Sequence, residues 1–524
     1  MDDPRSGSTS GRWRAGTSAG DVGGTGAASV QRALLPSSVP LLRTVDLAAA
    51  YSVAGQDQAA GGDWFDATVA PDGRLWLHVG DVVGHGIDAS AAMCQMRAVL
   101  AARSLDGAGP GEALGSLDRY ALVAASTFAT TVCLVVLDPS SGSLEYVTRG
   151  HLPPLVVGPH GMRALPLTHG GPIGADGGGT VGTARLADDE GVLLLTDGVV
   201  ERTGATLDAG LAEVARTVAR LVGERAPVGT EAPTAAAPGL AERLALGTLH
   251  AAPGAADDDA TALCALRRPA PAGLDLTVAA EPTSLVAVRR EVDRWARLLG
   301  VPDDDRALLV LAASETTANS IEHAYGQDEA PGPGAVRVSG RLDDAVLRLE
   351  VADDGRWRPP TPDPGDRGRG LAMIAAGGAR LTIDRSGPGT SVRVELDARR
   401  PVRITVAPHT TPRVPAAATS RVATDGGSVV VDGPLDTAAS VAALERAIWR
   451  QSRGAALPVT IHVGTGTFLG SLAVSALARV AREGARQGGS VEIVVPPETS
   501  AALTLALAGT PASVRPTAEG APTL

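Results

Sequence analysis

The 524-residue sequence contains no lysine, so every basic side chain is arginine or histidine. A phosphate held by a side-chain cation must then be held by arginine, and a P-loop, which needs a lysine, is excluded. Cysteine is scarce as well. Cys94, Cys133 and Cys264 are scattered, odd in number and without metal-ligand spacing. They form neither a disulfide framework nor a zinc pattern, and a reduced, cytoplasmic setting is expected. No apolar run reaches the length of a membrane span, and the Gly/Ser/Thr-rich N-terminus lacks the apolar core of a signal segment, so no membrane partner is expected. Positive charge is in deficit, 46 basic against 58 acidic side chains for a net −12. That argues against a nucleic-acid partner, which requires a basic footprint.

What is present is the composition of a globular chain, 44% apolar and 20% charged, too long for one core and expected to form two to four domains. Ala226–Pro238 is rich in Pro, Ala and Thr but reads as a loop within a domain, because strand-like sequence resumes at Thr261. Prolines at 401, 408, 412 and 415 mark Arg399–Ala418 as a linker, and Pro269–Gly273 as a second junction. The expected division is a disordered head (1–28), a first domain (29–269), a second (273–398), a third (402–512) and a flexible tail (513–524).

Periodicity supplies the elements. Leu75, Leu77, Val79 and Asp81 alternate onto one face of a strand, followed by a helix from about Ile87 to Ser104. Ala129–Asp138 and Leu144–Arg149 flank a Pro-Ser-Ser-Gly turn and read as a hairpin, with further strands at Gly191–Thr196 and Thr261–Leu266. In the second region a strand precedes a helix whose stripe is Leu285, Val288, Val292, Trp295 and Leu299, stopped by Gly300. A second helix spans Asp303–Ala324, and strands are expected at Ala335–Ser339, Ala345–Val351 and Thr390–Leu396. The third region reads as a small α/β domain: strands near Val429–Val431, Val459–Val463 and Val491–Val495, and a helix from Ser471 to Gln487. The whole is a multidomain α/β chain.

Acidic residues stand at strand ends or turns in four places: Asp63 in GGDWFD, Asp81 in GDVVGHG, Asp197 in TDGVVE, and Asp257–Asp259 in DDDAT. One Asp-Gly alone is more often a turn. Several carboxylates converging at strand ends make a site for hard divalent cations, which take oxygen ligands. Two such ions sharing a carboxylate and a water acidify the water and stabilise charge in an in-line attack on phosphorus. The set of motifs, with QRALLP at Gln31–Pro36 and RGHLPP at Arg149–Pro154, resembles the PPM-type phosphatase domain of the SpoIIE/RsbU kind, an α-β-β-α sandwich. The resemblance implies a phosphoserine/phosphothreonine phosphatase with two Mn²⁺ or Mg²⁺ ions. Asp81 would bridge both, joined by the Val82 carbonyl, with Asp63, Asp197 and Asp258 completing the shells. The last assignment follows if Asp259-Ala260-Thr261 fills the rest of a DDxT-type motif; the extra Asp257 leaves a one-residue shift open. Asp66 and His85 are assigned to supporting structure.

On the second helix of the second region, Leu311, Glu315, Asn319 and His323 form one row that turns from apolar to polar midway. Such a row faces either solvent or a cavity. SETTANSIEHAY, VADDGRW, RGRGLAMI and GPGTSV follow in order. Together they resemble the GHKL-type ATPase fold, closely the RsbW-like anti-sigma serine kinases. The resemblance implies ATP with Mg²⁺: Asn319 on the ion, Glu315 as general base or orienter of the acceptor hydroxyl, Asp353 on the adenine amino group with Thr390 beneath it. Asp353 and Gly355 open a DxGxG motif whose second glycine is replaced by Trp357. Gly368 and Gly370 would admit the phosphates to backbone N–H groups, with Arg369 the nearest cation. In the third region GPLDTAAS and TFLGSLAVSAL resemble a STAS domain, the fold of anti-sigma-factor antagonists. Ser471 falls where that family carries its phosphorylated serine, and is equally suited to be a helix N-cap. Gly470 and Leu472-Ala473 depart from the family's usual neighbours.

These resemblances imply a partner-switching regulator. The phosphatase would act on a phosphorylated STAS antagonist, and the kinase-like module would bind ATP and a sigma factor or antagonist. The chain's own C-terminal domain is a further possible target. The competing reading is a non-catalytic anti-sigma scaffold that binds ATP and partner proteins.

Overall fold

The computed structural model describes residues 33–53, 61–84, 86–175, 179–200, 207–224, 239–251, 259–324, 334–355, 369–385 and 389–406. It also describes 420–515 apart from 426, 434, 436–437, 455–456, 466, 468, 470, 487–488, 498, 508–509 and 511. The expected head, the Ala226–Pro238 loop, Asp257, Asp258, His85, Trp357 and Gly368 lie outside these residues.

The first domain supplies β1 (Ser38–Pro40), β2 (Val45–Val53), β3 (Trp64–Val69), β4 (Leu75–Asp81), α1 (Ile87–Leu105), α2 (Pro110–Ala121), β5 (Thr131–Leu137), β6 (Ser143–Arg149), β7 (Leu155–Gly158), β8 (Gly161–Ala164), β9 (Gly182–Arg185), β10 (Gly191–Leu195), α3 (Leu207–Gly223), α4 (Leu240–Leu249) and β11 (Ala260–Arg267). One sheet runs β3-β4-β5-β6-β9 and packs against a second containing β2-β11-β10-β7-β8. Helices α1 and α2 cover the first sheet, α3 and α4 the second. The hairpin β5–β6 has Leu137 opposite Leu144. Its turn is tied by the Asp138 carboxylate, which accepts the Ser140 N–H at 2.9 Å and both serine hydroxyls at 2.6 Å; these donors hold its pKa down to about 2.

β4 departs from the expected alternation, because every residue in it is buried. Helices lie on one side and the opposite sheet on the other, so both faces are covered. β2, VDLAAAYSV, is likewise buried throughout. Leu47, Ala49 and Tyr51 point into the space between the sheets, while Ala48 and Ala50 face α4.

The second domain comprises β12 (Leu274–Ala279), α5 (Ser284–Leu299), α6 (Asp303–Ala324), β13 (Ala335–Asp343), β14 (Val346–Asp353), α7 (Arg369–Ala376), β15 (Arg380–Asp384) and β16 (Thr390–Asp397). Its antiparallel sheet, β12-β13-β14-β16-β15, is covered on one face only. β13 and β14 therefore alternate, with Val336, Val338, Leu347, Leu349 and Val351 beneath the helices. Val288, Val292, Trp295 and Leu299 are the buried stripe of α5, Leu285 being half-buried. Gly300 ends that helix at φ 80°, its N–H returning to the Ala296 and Arg297 carbonyls.

The segment after the second domain turns back on the first. β17 (Arg399–Pro401) pairs antiparallel with β1. β18 (Arg403–Val406) lies parallel to β2 and becomes the edge of the six-stranded sheet β18-β2-β11-β10-β7-β8. Residues read from their prolines as a linker, and Arg403–Val406 as the start of the third domain, thus complete the first domain's sheet. Pro401 is compatible with this because its strand is a two-stranded edge ribbon. Arg400 pairs with Asp46 at 2.6 Å, and Arg268 donates to the Leu299 carbonyl at 3.2 Å. Leu41 packs into the second domain's core.

The third domain has β19 (Arg421–Asp425), β20 (Ser428–Asp432), α8 (Ala438–Gln451), β21 (Val459–Val463), α9 (Ser471–Arg486), β22 (Val491–Val495), α10 (Ser500–Leu507) and β23 (Ser513–Val514). The sheet order is β19-β20-β21-β22-β23, antiparallel in the first pair and parallel thereafter. Ser513 and Val514, assigned by sequence to a flexible tail, pair with Val494 and Val495. Among the described residues no helix is long and apolar enough to cross a membrane.

Candidate active site

Asp63 directly precedes β3, Asp81 ends β4, and Asp197 follows β10 at the start of a 3₁₀ turn. Two sheets thus deliver their strand ends to one place, where ligand atoms of the three carboxylates all lie within 4.8 Å of one another. Asp63 is 2% exposed. Its Oδ2 accepts the Thr196 hydroxyl at 2.6 Å and the Thr261 hydroxyl at 3.3 Å. Thr196 Oγ1 in turn accepts the Thr261 N–H at 2.9 Å, locking β10 to β11 beside the cluster. Burial pushes the Asp197 carboxyl pKa up, countered in part by the backbone N–H groups of Gly198 and Asp197 itself.

Gly62 is compulsory here: a Cβ on it would sit 2.1 Å from the Val82 carbonyl oxygen and 3.0 Å from Asp81 Oδ1. The expected Val82 carbonyl therefore lies against the Gly-Gly-Asp turn, beside Asp81. Gathering buried carboxylates is strongly unfavourable without positive charge, and hard cations with oxygen ligands meet that need. The donor set fits a divalent-metal site. Asp66 is not in the cluster. It pairs with Arg97 at 3.6 Å and accepts the Ala67 N–H at 2.7 Å. Arg149 of RGHLPP is buried and makes a two-point pair with Asp118 at 2.5 and 2.9 Å.

Asp259 has a different place from the cluster carboxylates. It is 3% exposed, and its Oδ2 accepts the Tyr51 hydroxyl at 2.6 Å. Tyr51 and Thr196 are absent from the site expected from sequence, and Thr261 enters it only as the last residue of DDDAT. The Thr in TDGVVE and in DDDAT stands beside the motif aspartates and was the available signal; Tyr51, in an Ala-rich run, carried none.

In the second domain, Glu315 and Asn319 are half-buried on α6. Glu315 lines a cleft of about 460 Å³ together with Arg289, Asp293, Arg306 and Ser314. Asp353 and Thr390 are cross-strand partners on β14 and β16. Asp353 Oδ1 accepts the N–H groups of Gly355 at 3.2 Å and Thr390 at 3.3 Å. Asp353 Oδ2 and Thr390 Oγ1 are buried and have no hydrogen-bond partner among the described residues. A buried acceptor beside a buried hydroxyl needs hydrogen-bond partners, and the pair fits the amino edge of adenine. Gly355 approaches the end of α6 so closely that a Cβ would meet Ala324 at 2.5 Å. Arg369 and Gly370 open α7, and Ser471 opens α9.

Residues 71–268 match the family described as Stage II sporulation protein E (SpoIIE), and residues 278–396 match the histidine kinase-like ATPase domain. The RsbU and RsbW domains of Rv1364c from Mycobacterium tuberculosis are 34% identical, with 71% of this chain and 98% of that chain aligned at a TM-score of 0.61. The SiaA-PP2C domain of Pseudomonas aeruginosa aligns at 19% identity over 46% of this chain and 94% of its own, TM-score 0.35. The phosphatase domain of SpoIIE from Bacillus subtilis, with a fragment of its regulatory domain, aligns at 16% over 44% and 65%, TM-score 0.33. The assignment rests on the two family matches and the first structure: this chain belongs to the family that joins a SpoIIE/RsbU-type phosphatase domain to an RsbW-like histidine kinase-like ATPase domain.

Proposed function

We propose that the first domain hydrolyses phosphoserine or phosphothreonine on a STAS-type anti-sigma antagonist, within a switch that controls a sigma factor. The observation that carries the reading is the convergence of Asp63, Asp81 and Asp197 to within 4.8 Å. Those three, with the Val82 carbonyl and Asp258, would hold two Mn²⁺ or Mg²⁺ ions. Bound divalent ions supply an acidified water and neutralise charge on the phosphoryl group. The chain's own part is positional. Thr196 and Thr261 fix Asp63, and the side-chain-free Gly62 lets the cluster close around the Val82 carbonyl.

The second domain binds ATP with Mg²⁺ in this reading. Asp353 and Thr390 take adenine, Asn319 the ion, and Gly368, Arg369 and Gly370 the phosphates, while Glu315 orients an acceptor serine. The third domain has the role of a STAS-like antagonist, with Ser471 at a helix start where a phosphate is favoured by the dipole.

The route of the chain supports a target in cis. β18 ends at Val406, opposite Val53, at the end of β2 from which the chain passes on toward Gly61–Asp63. The 13 residues 407–419 that follow span at most about 45 Å, and a tether of that length gives effective concentrations of about a millimolar. The test uses full-length protein and, separately, phosphorylated STAS proteins supplied in trans, with Mn²⁺-dependent phosphate release as the readout. Release from a phosphoserine STAS protein, and ATP-dependent labelling that maps to Ser471, are the expected results. No release from any phosphorylated STAS protein leaves the non-catalytic scaffold as the better reading. An unlabelled Ser471 removes the cis step alone.

A further inference from the structure

Tyr51 has no solvent exposure and lies among the side chains that fill the space between the two sheets of the first domain. Its hydroxyl donates to Asp259 Oδ2 at 2.6 Å. Asp259 packs against the chain segments that carry Asp63 and Asp197. A Cβ at Gly61, two residues before Asp63, would fall 1.7 Å from Asp259 Oδ2. One at Gly198, directly after Asp197, would fall 1.9 Å from the Asp259 carbonyl oxygen. This single residue therefore sets how closely the Asp63 and Asp197 segments approach each other. Satisfying a buried tyrosine hydroxyl needs only a backbone carbonyl. Using a carboxylate beside three others adds a desolvation cost, which is balanced only if the carboxylate's position matters to what the cluster binds.

Tyr51 is itself held from the opposite side. Its backbone lies between β11, where Thr261 is its partner, and β18, where Ile404 is its partner. The Thr405 hydroxyl donates to the Tyr51 carbonyl at 3.3 Å. β18 comes after the entire second domain in the chain, so a strand remote in sequence supports the residue that braces Asp259.

We propose that Tyr51 is a positioning residue for the acidic cluster, acting through Asp259, and that the strand Arg403–Val406 keeps Tyr51 in place. The cation affinity of the phosphatase domain then depends on a segment that follows the ATPase domain. The proposal deepens the metal-site reading above and rests on it.

The test is calorimetric titration of full-length protein with Mn²⁺, alongside thermal melts without metal and steady-state kinetics. Tyr51→Phe keeps the ring and removes the donor. Groups that orient metal ligands typically change affinity by 10–100-fold when lost, so the Mn²⁺ Kd should rise about tenfold with KM for the phosphoprotein unchanged. Ile404→Pro, which breaks the β18–β2 pairing, should weaken Mn²⁺ binding in the same direction. A Tyr51→Phe protein that melts lower but binds Mn²⁺ within twofold of the unaltered chain overturns the proposal, leaving the pair as core packing. Should that variant not fold, Asp259→Asn and Asp259→Leu carry the test. The amide still accepts from tyrosine and should keep its affinity, and the leucine should not; equal affinities overturn the proposal. Absence of Mn²⁺ binding in the unaltered protein is a separate failure, which removes the metal site itself and the positioning role with it.

Discussion

The two candidate sites solve opposite problems. In the first domain, the central strands β2 and β4 are buried on both faces, and Asp63 is already gripped by two threonine hydroxyls. What that site lacks is positive charge. In the second domain, the sheet is covered on one face, and Asp353 Oδ2 and Thr390 Oγ1 are buried without partners among the described residues. What that site lacks is a hydrogen-bonding surface. The difference teaches that burial alone does not identify a ligand. The kind of unmet need, charge in one case and donors or acceptors in the other, distinguishes a cation from a base.

Removing charge should break the comparison most sharply. Asp81→Ala or Asp197→Ala should lower Mn²⁺-dependent phosphate release by roughly two to three orders of magnitude, the scale for losing a principal element of transition-state charge stabilisation. ATP-analogue binding should be unchanged, and both are measured on one preparation. Loss of both activities together would mean that the sites are not separable.

Asp353→Asn is the converse change. An amide N–H₂ facing the amino edge of adenine sets donor against donor, and an unmatched buried group costs about 1–3 kcal/mol. Fluorescent ATP-analogue affinity should therefore fall roughly 5- to 150-fold, with phosphatase activity retained. An unaltered affinity would remove Asp353 from the site.

Acid should separate the domains more gently. His78 and His151 are buried in the first domain, and burial lowers both pKa values from 6.5 to about 4. No buried histidine is present among the described residues of the second domain. The unfolded chain takes up protons below 6.5 that the folded domain refuses until about 4. Stability is therefore lost as pH falls through that window, by up to about 3 kcal/mol per histidine. The melt of the first domain should drop between pH 6.5 and 4, and His151→Leu should flatten the drop. A pH-independent melt would show that these rings are protonated in the folded protein.

Much of the first site was legible because its aspartates are tied to glycines and strand ends whose spacing is local. GGD and TDG place Asp63 and Asp197 wherever the surrounding strands go. Other features depended on distant partners. VDLAAAYSV has three consecutive alanines, the best helix formers, yet it is a strand. Its small residues fit beneath α4, and tertiary packing overrides a weak preference. Arg399–Ala418 reads as a linker because of its four prolines, and only strands more than 350 positions away make Arg399–Pro401 and Arg403–Val406 into ladders. The one-sided sheet of the second domain was legible in alternation, whereas the doubly covered β4 hid its depth, since a strand buried on both faces has no polar side to reveal it.

The return of the chain through Arg403–Val406 has a consequence for how the protein is made. β2 emerges from the ribosome early, but the outer edge of its last four residues, Ala50–Val53, meets its partner only after about 135 residues beyond the end of β11 have been synthesised. At bacterial elongation speeds of about 5–20 residues per second, that is a delay of roughly 7–27 s. Throughout it, this four-residue strand edge stands open to pairing with other nascent chains. The first domain begins folding before the second exists, yet its sheet can close only once the second has been made.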